Sequence, residues 1–242
     1  MTKAILAIWI PLLCAAGAEL EGSKQTFEMI QTERVLFAPA GVIRVEGSYG
    51  YLTVEGWDEP EVEITVIKST GGFYKTSRRE PEEERLKKVR VVTQRRSDKE
   101  LVISTTPAVR KSVFFLPRTF LPSPRHGMTP DYRIRVPRNS KLDVRQDNGY
   151  VWVSDVMGDI EVRSHRGDMI VLLPDAGSYS IDARTGLGSV SSDFDGNGHR
   201  YLAGSHWVQK GTASSRRIYL RMGSGCITVK KSSSDDAARS GV

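Results

Sequence analysis

Three short segments of this 242-residue chain place side chains at spacings that could do chemistry. The first, "DFDGNG", presents Asp193, Asp195 and Asn197 at alternate positions and ends on Gly198. Oxygen ligands at alternate positions, with a glycine at the sixth, match the first half of a calcium-binding loop. The twelfth position, where such a loop carries a bidentate glutamate, is Gly204. The segment therefore predicts either a calcium site built on half a loop or a plain polar turn.

The second segment is aromatic. Tyr150 and Trp152 lie two residues apart in "YVWV", and Tyr51 stands at the matching place of an earlier, similar segment. Residues two apart in a strand point to the same face. Exposed aromatic rings stack on sugar rings, and Tyr and Trp are enriched in binding patches. These three side chains are therefore candidates for a ligand-binding surface. The sequence favours a second interpretation, in which Phe114, Phe115 and Phe120 of a later segment, residues 107–130, cover them.

The third segment is acidic. Asp159, Glu161 and Asp168 lie close together in sequence, and glycoside hydrolases use paired carboxylates. Arg163 and Arg166 stand among these acids, however, which favours a solvated face of alternating charge.

Other signatures of catalysis or metal binding are missing from the sequence. The four histidines lack metal-ligand spacing, and the chain has no Gly-x-Ser-x-Gly elbow, phosphate loop or dinucleotide fingerprint. Cys226, on an outward position, is interpreted as an accessible thiol present by chance. We therefore predict that the protein is not an enzyme and has no cofactor, with calcium as the one exception.

A glycine repeat must position all of these groups. The pattern Gly-x-apolar-x-apolar recurs with spacings of nine to eleven residues in the middle of the chain, and again near both ends. Period-two alternation gives each repeat one apolar face, and the glycine marks a corner where a side chain would be crowded. The glycines are Gly41, Gly50, Gly149, Gly158, Gly167, Gly177, Gly188 and Gly225.

One repeat cannot fold alone, because two buried side chains do not offset the conformational entropy of nine ordered residues. The repeats must stack and share a core, as in solenoid proteins. The spacing suits a coil or an up-and-down meander, and the repeated same-face register favours the coil. The predicted fold is all-β: a β-solenoid or single-stranded β-helix-like array of short strands with glycine corners. Longer strands are predicted at residues 61–69, 88–96, 100–106, 132–137 and 141–146.

The tripeptide Arg166-Gly167-Asp168 matches an integrin-binding motif. Gly167 is already required by the repeat, and Asp168 occupies the same place as Asp159 in "MGDIEV". We therefore interpret this tripeptide as a structural corner.

The chain divides into three parts. Residues 1–18 have the pattern of a signal peptide, because Lys3 precedes an apolar run that is too short to span a bilayer and ends in small residues. Residues 19–231 form the β-strand-repeat domain, which includes the proline- and aromatic-rich insert 107–130, and residues 232–242 form a disordered tail. The protein is thus predicted to be exported, to the periplasm or to the extracellular cell surface. A formal net charge of +6 with interleaved signs argues against nucleic-acid binding.

Residues 41–66 and 132–171, together with the closing "GSGCITV", resemble a family of secreted bacterial β-strand-repeat domains of unknown function grouped as putative adhesins. The resemblance implies an exported β-repeat domain and supplies no catalytic residues. The insert 107–130 departs from the family pattern.

These observations predict an exported, non-catalytic module with an adhesive or structural role in the cell envelope. Its partner would be a glycan or an envelope protein, and no membrane span is expected. The first alternative is an envelope scaffold without a defined ligand, which self-associates through the open ends of the array. The second is a polysaccharide-active enzyme of the β-helix kind.

Overall fold

The computed structural model describes residues 24–25, 28–70, 74–75, 84, 86–87, 90–106, 128–174, 178–212 and 215–232. The signal segment 1–18, residues 107–127 of the insert and the tail from residue 233 lie outside these ranges, so the predictions made for them stay predictions. The strands of the described residues are β1 (Lys24–Gln25), β2 (Glu28–Leu36), β3 (Val42–Trp57), β4 (Glu61–Thr70), β5 (Tyr74–Lys75), β6 (Arg90–Ser97), β7 (Glu100–Thr106), β8 (Met128–Pro137), β9 (Lys141–Ser154), β10 (Ile160–Pro174), β11 (Tyr179–Leu187), β12 (Val190–Ser192), β13 (Asn197–Arg200), β14 (Ser205–Gln209), β15 (Arg216–Ser224) and β16 (Ile227–Ser232).

The all-β prediction is confirmed, and so are the five longer strands, which correspond to β4, β6, β7, β8 and the start of β9. The expectation of short strands is wrong for the central repeats. β3, β9 and β10 are 16, 14 and 15 residues long because each strand continues through a glycine bend instead of ending there. The bends lie at Gly50, Gly149 and Gly167, which have φ of +114°, +122° and +132°.

The bends at Gly50, Gly149 and Gly167 lie side by side and divide the sheet into a pre-bend part and a post-bend part. The pre-bend part runs in the order β6, β7, β3, β9, β10, β15, β11, β14, β13. The post-bend part runs in the order β2, β4, β8, β3, β9, β10, β16, β12. Pairing in the centre of both parts is parallel, which does not fit an up-and-down meander. The antiparallel pairs lie toward the ends: β6–β7, β11–β14 and β13–β14 in the pre-bend part, and β2–β4 and β4–β8 in the post-bend part.

Inward-facing apolar side chains from both parts of the sheet form one core. Before the bend of β3, Ile43 and Val45 are fully buried, and after it Leu52 and Val54 are buried in the same cluster. Parallel pairing in register repeats these positions on neighbouring strands, so that Leu52, Val151 and Met169 form one buried row. The outward side chains of the two parts therefore lie on two separate surfaces, one pre-bend and one post-bend.

The chain does not add its strands in sequence order. β10 is followed in space by β15 and β16, and only then by β11 and β12. At the other end, β7 pairs with β3 before its bend, and β8 pairs with β3 after it. Met128, Thr129 and Pro130, which were predicted as insert, belong to β8 because they pair with the end of β4. Ser232, predicted as the first tail residue, pairs with Pro174.

The bend glycines stack backbone on backbone. A Cβ atom built on Gly149 would lie 1.9 Å from the carbonyl oxygen of Gly50, and one on Gly167 would lie 1.8 Å from that of Gly149. Neither distance is tolerable, and both residues have a positive φ that side chains disfavour. We call this set the glycine column; its members in spatial order are Gly50, Gly149, Gly167, Gly225 and Gly188.

Replacing Gly149 by alanine is expected to lower the free energy of unfolding by about 3 kcal/mol or more, because it combines backbone strain with overpacking against a neighbouring strand. Urea unfolding measures the change. Gly198→Ala in β13 is the control, since an added Cβ there would be 3.5 Å from its nearest neighbour, Cδ1 of Trp207. Equal unfolding midpoints for Gly149→Ala and wild type would contradict the steric role of the column.

Candidate functional site

The three predicted aromatic residues share the post-bend surface. Tyr51 on β3 and Tyr150 on β9 are register partners, and their rings stack with centroids 5.1 Å apart and planes 5° from parallel. Trp152 follows on the same face of β9, beside Thr53. The exposed fractions are 48% for Tyr51, 49% for Tyr150 and 40% for Trp152. We call these three side chains the aromatic platform.

Local alternation explains the outward position of the platform. The intervening residues Leu52, Val151 and Val153 point inward and are at most 2% exposed. Parallel pairing in register then places Tyr51 directly beside Tyr150. A one-residue slip would bury the rings and expose the valines, so the apolar core fixes the platform.

The edges of the platform are polar. Asp131 on β8 is the register partner of Tyr51, and Asp168 on β10 is that of Tyr150. Arg133, the partner of Thr53, donates a hydrogen bond to Asp131 at 3.4 Å. Flat rings bordered by carboxylates and a guanidinium suit a ligand with an apolar face and hydroxyl groups at its rim. The predicted cover, Phe114, Phe115 and Phe120, lies outside the described residues and stays a prediction.

The acidic residues have structural partners. Asp159 accepts a hydrogen bond from the backbone N–H of Arg217 at 3.0 Å, and Asp168 accepts one from that of Cys226 at 2.9 Å. Each aspartate thus accepts a backbone hydrogen bond in the residue position that follows a repeat glycine, as their equivalent positions in the repeat suggested. The Asp168 contact and the position of Gly167 in the glycine column support the structural interpretation of Arg166-Gly167-Asp168.

The electrostatics around Asp159 and Glu161 favour stable ion pairs. Partial burial raises the pKa of Asp159, but the Arg217 N–H and the Lys141 ammonium outweigh it and hold that pKa below its usual value. Glu161 pairs with Arg163 at 2.6 Å on the pre-bend surface, whereas Asp168 follows the bend of β10. The structure therefore gives each of these three carboxylates its own partner.

The predicted calcium ligands lie around the start of β13. Asp193 Oδ2 accepts a hydrogen bond from the backbone N–H of Lys231 at 3.4 Å, Asp195 is exposed, and Asn197 is the first residue of β13. Within the described ranges, no group of three or more His, Cys, Asp or Glu side chains is arranged to hold a metal ion. The calcium site stays a prediction.

One polar cluster was missed in the sequence. Asp182 on β11 lies 2.7 Å from Nε2 of His206 on β14 and 2.7 Å from a guanidinium nitrogen of Arg221 on β15. The Arg221 guanidinium also covers the ring of Tyr219, 3.8 Å from its centroid. The outward alternation of these residues was visible, but the pairing of β11 with β15 was not, because β15 follows β11 by about thirty residues.

Comparisons with known proteins place the fold. No family model matches the chain, and neither does any curated protein. A solved structure described as a putative cell adhesion protein from Clostridium sporogenes is similar over 86% of this chain and 100% of that one, with 14% identity and a TM-score of 0.54. A putative adhesin from Bacteroides fragilis has 12% identity over 84% of this chain and 97% of that one, with a TM-score of 0.24.

The similarity to the Clostridium sporogenes protein shows a shared fold. The TM-score for the Bacteroides fragilis protein is too low to carry an argument. The resemblance to the putative adhesins inferred from sequence is therefore confirmed at the level of the fold. In the part of the chain that the structure describes, no helix is long and apolar enough to cross a membrane.

The Asp182 cluster predicts a pH dependence of stability. Burial raises the pKa of Asp182, but hydrogen bonds and charge from Arg221 and His206 outweigh it and hold the folded-state pKa below the unfolded value of about 3.9. Asp182 therefore stabilises the fold above about pH 5, and this contribution disappears as the pH falls through the lowered pKa. Urea unfolding of wild type and Asp182→Asn should differ at pH 7 and converge at acidic pH. Asp195→Asn is the control, and a pH-independent difference for Asp182→Asn would contradict the prediction.

Proposed function

We propose that this protein is an exported, non-catalytic β-repeat module that binds an external glycan through the aromatic platform. The observation that carries the proposal is the pair of stacked tyrosines with a half-exposed tryptophan beside them on a closely packed sheet. Large aromatic side chains on a preformed surface lose little conformational entropy on binding, which makes them effective contact residues.

The proposal includes a solenoid architecture. Its support is the parallel, in-register pairing of β3, β9 and β10 on both sides of their bends, together with the single core that both parts of the sheet share. Each bent strand then forms two sides of one coil, and the glycine column marks the corner. A regular stack of this kind can carry repeated outward side chains as one extended binding surface.

An adhesive role at the cell surface is consistent with the fold it shares with the Clostridium sporogenes protein, which is described as a putative cell adhesion protein. Export is proposed from the sequence of residues 1–18. The proposal of a non-catalytic role rests on the carboxylates, since Asp159, Glu161 and Asp168 each have a hydrogen-bonding or ion-pair partner that suits a structural task.

Substitution of the platform tests the function. The mature protein is screened on an array of neutral glycans, and the affinity of the tightest ligand is then measured for wild type, Trp152→Ala and Trp152→Phe. Loss of a central aromatic contact is expected to cost about 2 kcal/mol, or roughly thirtyfold in affinity, and the phenylalanine variant should retain most of the binding.

Ile30→Ala is the matched control, because Ile30 is an exposed apolar residue on β2 in the same part of the sheet. Its affinity should equal that of wild type, and all variants should share the wild-type unfolding midpoint. If Trp152→Ala binds the glycan as tightly as wild type, or if wild type binds no glycan, the aromatic platform is not a glycan-binding site. If the protein binds no glycan and its sedimentation coefficient rises with protein concentration, the result would instead favour the self-associating envelope scaffold.

A further inference from the structure

A small apolar patch lies where the glycine column meets the β13 edge of the sheet. Leu187, the last residue of β11, directly precedes Gly188 of the column and is 56% exposed. The turn between β13 and β14 carries Tyr201, which is 50% exposed, and Leu202, which is fully exposed. We call Leu187, Tyr201 and Leu202 the corner patch.

Backbone contacts hold this turn against β11. The N–H of Gly188 donates a hydrogen bond to the carbonyl oxygen of Ala203 at 2.8 Å, which places the turn beside the end of β11. A Cβ atom on Gly204 would lie 2.3 Å from the carbonyl oxygen of Thr185, so the two backbones are in close contact. The sheet therefore sets the position from which Leu202 projects.

Two arginines border the patch. Arg184 lies on β11, and Arg200, the last residue of β13, directly precedes the turn. The Arg184 guanidinium lies 5.9 Å from the centroid of the Tyr201 ring. Arg184, Tyr201 and Leu202 line the same shallow cavity of about 340 Å³, so the guanidinium is accessible from the side of the patch.

Neither arginine has a carboxylate partner among the described residues, since neither takes part in an ion pair or a side-chain hydrogen bond there. The acidic residue two positions before Arg184, Asp182, is held by Arg221 and His206 at 2.7 Å each. Asp195 precedes β13 and lies at the end of that strand away from the turn. The corner patch is therefore bordered by two positive charges that the described part of the protein leaves without an acidic partner.

We propose that the corner patch docks on an anionic lipid bilayer, with Leu202 at the boundary of headgroups and acyl chains and with Arg184 and Arg200 at headgroup phosphates. Insertion of apolar side chains and attraction of basic residues to anionic lipids are the two contributions to interfacial binding. Tyr201 suits the level between them, because its ring is apolar and its hydroxyl is polar. The patch lies three strands from Tyr150 and does not depend on the aromatic platform.

The size and shape of the patch favour a bilayer over a protein or a small ligand. Its three side chains, two of them about half exposed, offer far less than the roughly 800 Å² that each partner of a stable protein complex buries. Leu202 projects outward, whereas small-ligand sites are concave and enclose their ligand. A fluid surface accepts a projecting side chain without a matching cavity.

Binding to vesicles of defined composition tests the proposal. Vesicles of phosphatidylcholine, alone or mixed with phosphatidylglycerol, are sedimented with the mature protein at low salt. Wild type is expected to co-sediment with the mixed vesicles and not with the pure ones, and added salt should weaken the binding. Leu202→Ser should lower the partition coefficient about tenfold, because it removes the inserted side chain, and Arg184→Gln should lower it about fivefold, because it removes one headgroup contact.

Ile30→Ser and Arg217→Gln are the matched controls. Ile30 is an exposed apolar residue on β2, and Arg217 is an exposed arginine at the start of β15, the end of that strand away from the bend. Both variants should bind mixed vesicles within about twofold of wild type, a change set by long-range charge alone, and all variants should share the wild-type unfolding midpoint. If the controls weaken binding as much as the patch variants, or if wild type binds no mixed vesicles at low salt, the proposal is wrong.

Two further measurements locate the contact and separate the alternatives. On mixed vesicles with brominated acyl chains, the fluorescence of Leu202→Trp should be quenched more than that of wild type, and equal quenching would contradict insertion of the turn. If wild type forms a dimer without lipid and Leu202→Ser dissociates it, the patch is an interface between two copies, which would overturn the proposal. Trp152→Ala should bind mixed vesicles as wild type does, so failure of the aromatic platform is distinguishable from failure of the patch.

Discussion

Close contact between neighbouring backbones at the bends is the constraint on which the rest of the structure depends. At the glycine column, the carbonyl oxygen of one strand occupies the space where the next strand would carry a Cβ atom. Only glycine fits there and also adopts the positive φ that turns the strand. The bend allows one strand to contribute to two parts of a sheet, and the core forms between those parts.

This arrangement converts a simple alternation into two chemically different surfaces. Because the strands are parallel and in register, a residue type that recurs at one repeat position becomes a row across the sheet. After the bend, one such row contains Tyr51 and Tyr150. Before the bend, another row contains Arg145, Arg163, Arg221 and Arg184. Buried aliphatic residues beneath both surfaces belong to one cluster, so one core fixes the positions of the outward side chains.

Much of the fold could be predicted from local sequence. The inward positions of Val151, Ile160 and Met169 follow from period-two alternation, and the equivalence of Asp159 and Asp168 follows from the spacing of their glycines. Strand length was harder to predict, because a glycine can end a strand or bend one. Only backbone contacts with neighbouring strands decide between these outcomes.

The order of strands in space could not be predicted, because pairing between distant segments leaves no mark on local alternation. β15 and β16 enter between β10 and β11/β12, and this insertion brings Arg221 beside Asp182 and Arg184. The Asp182 cluster depends on that placement. The aromatic platform was easier to find, since Tyr150 and Trp152 lie on one strand and Tyr51 lies in a segment with the same repeat frame.

Native-state hydrogen exchange of the β9 amides tests the central claim most directly. If both parts of the bent strand share one core through the glycine column, amides near Val144 before the bend and near Val153 after it exchange with the same free energy, equal to that of global unfolding. Protection confined to one side of Gly149, with near-solvent exchange on the other, would contradict the account.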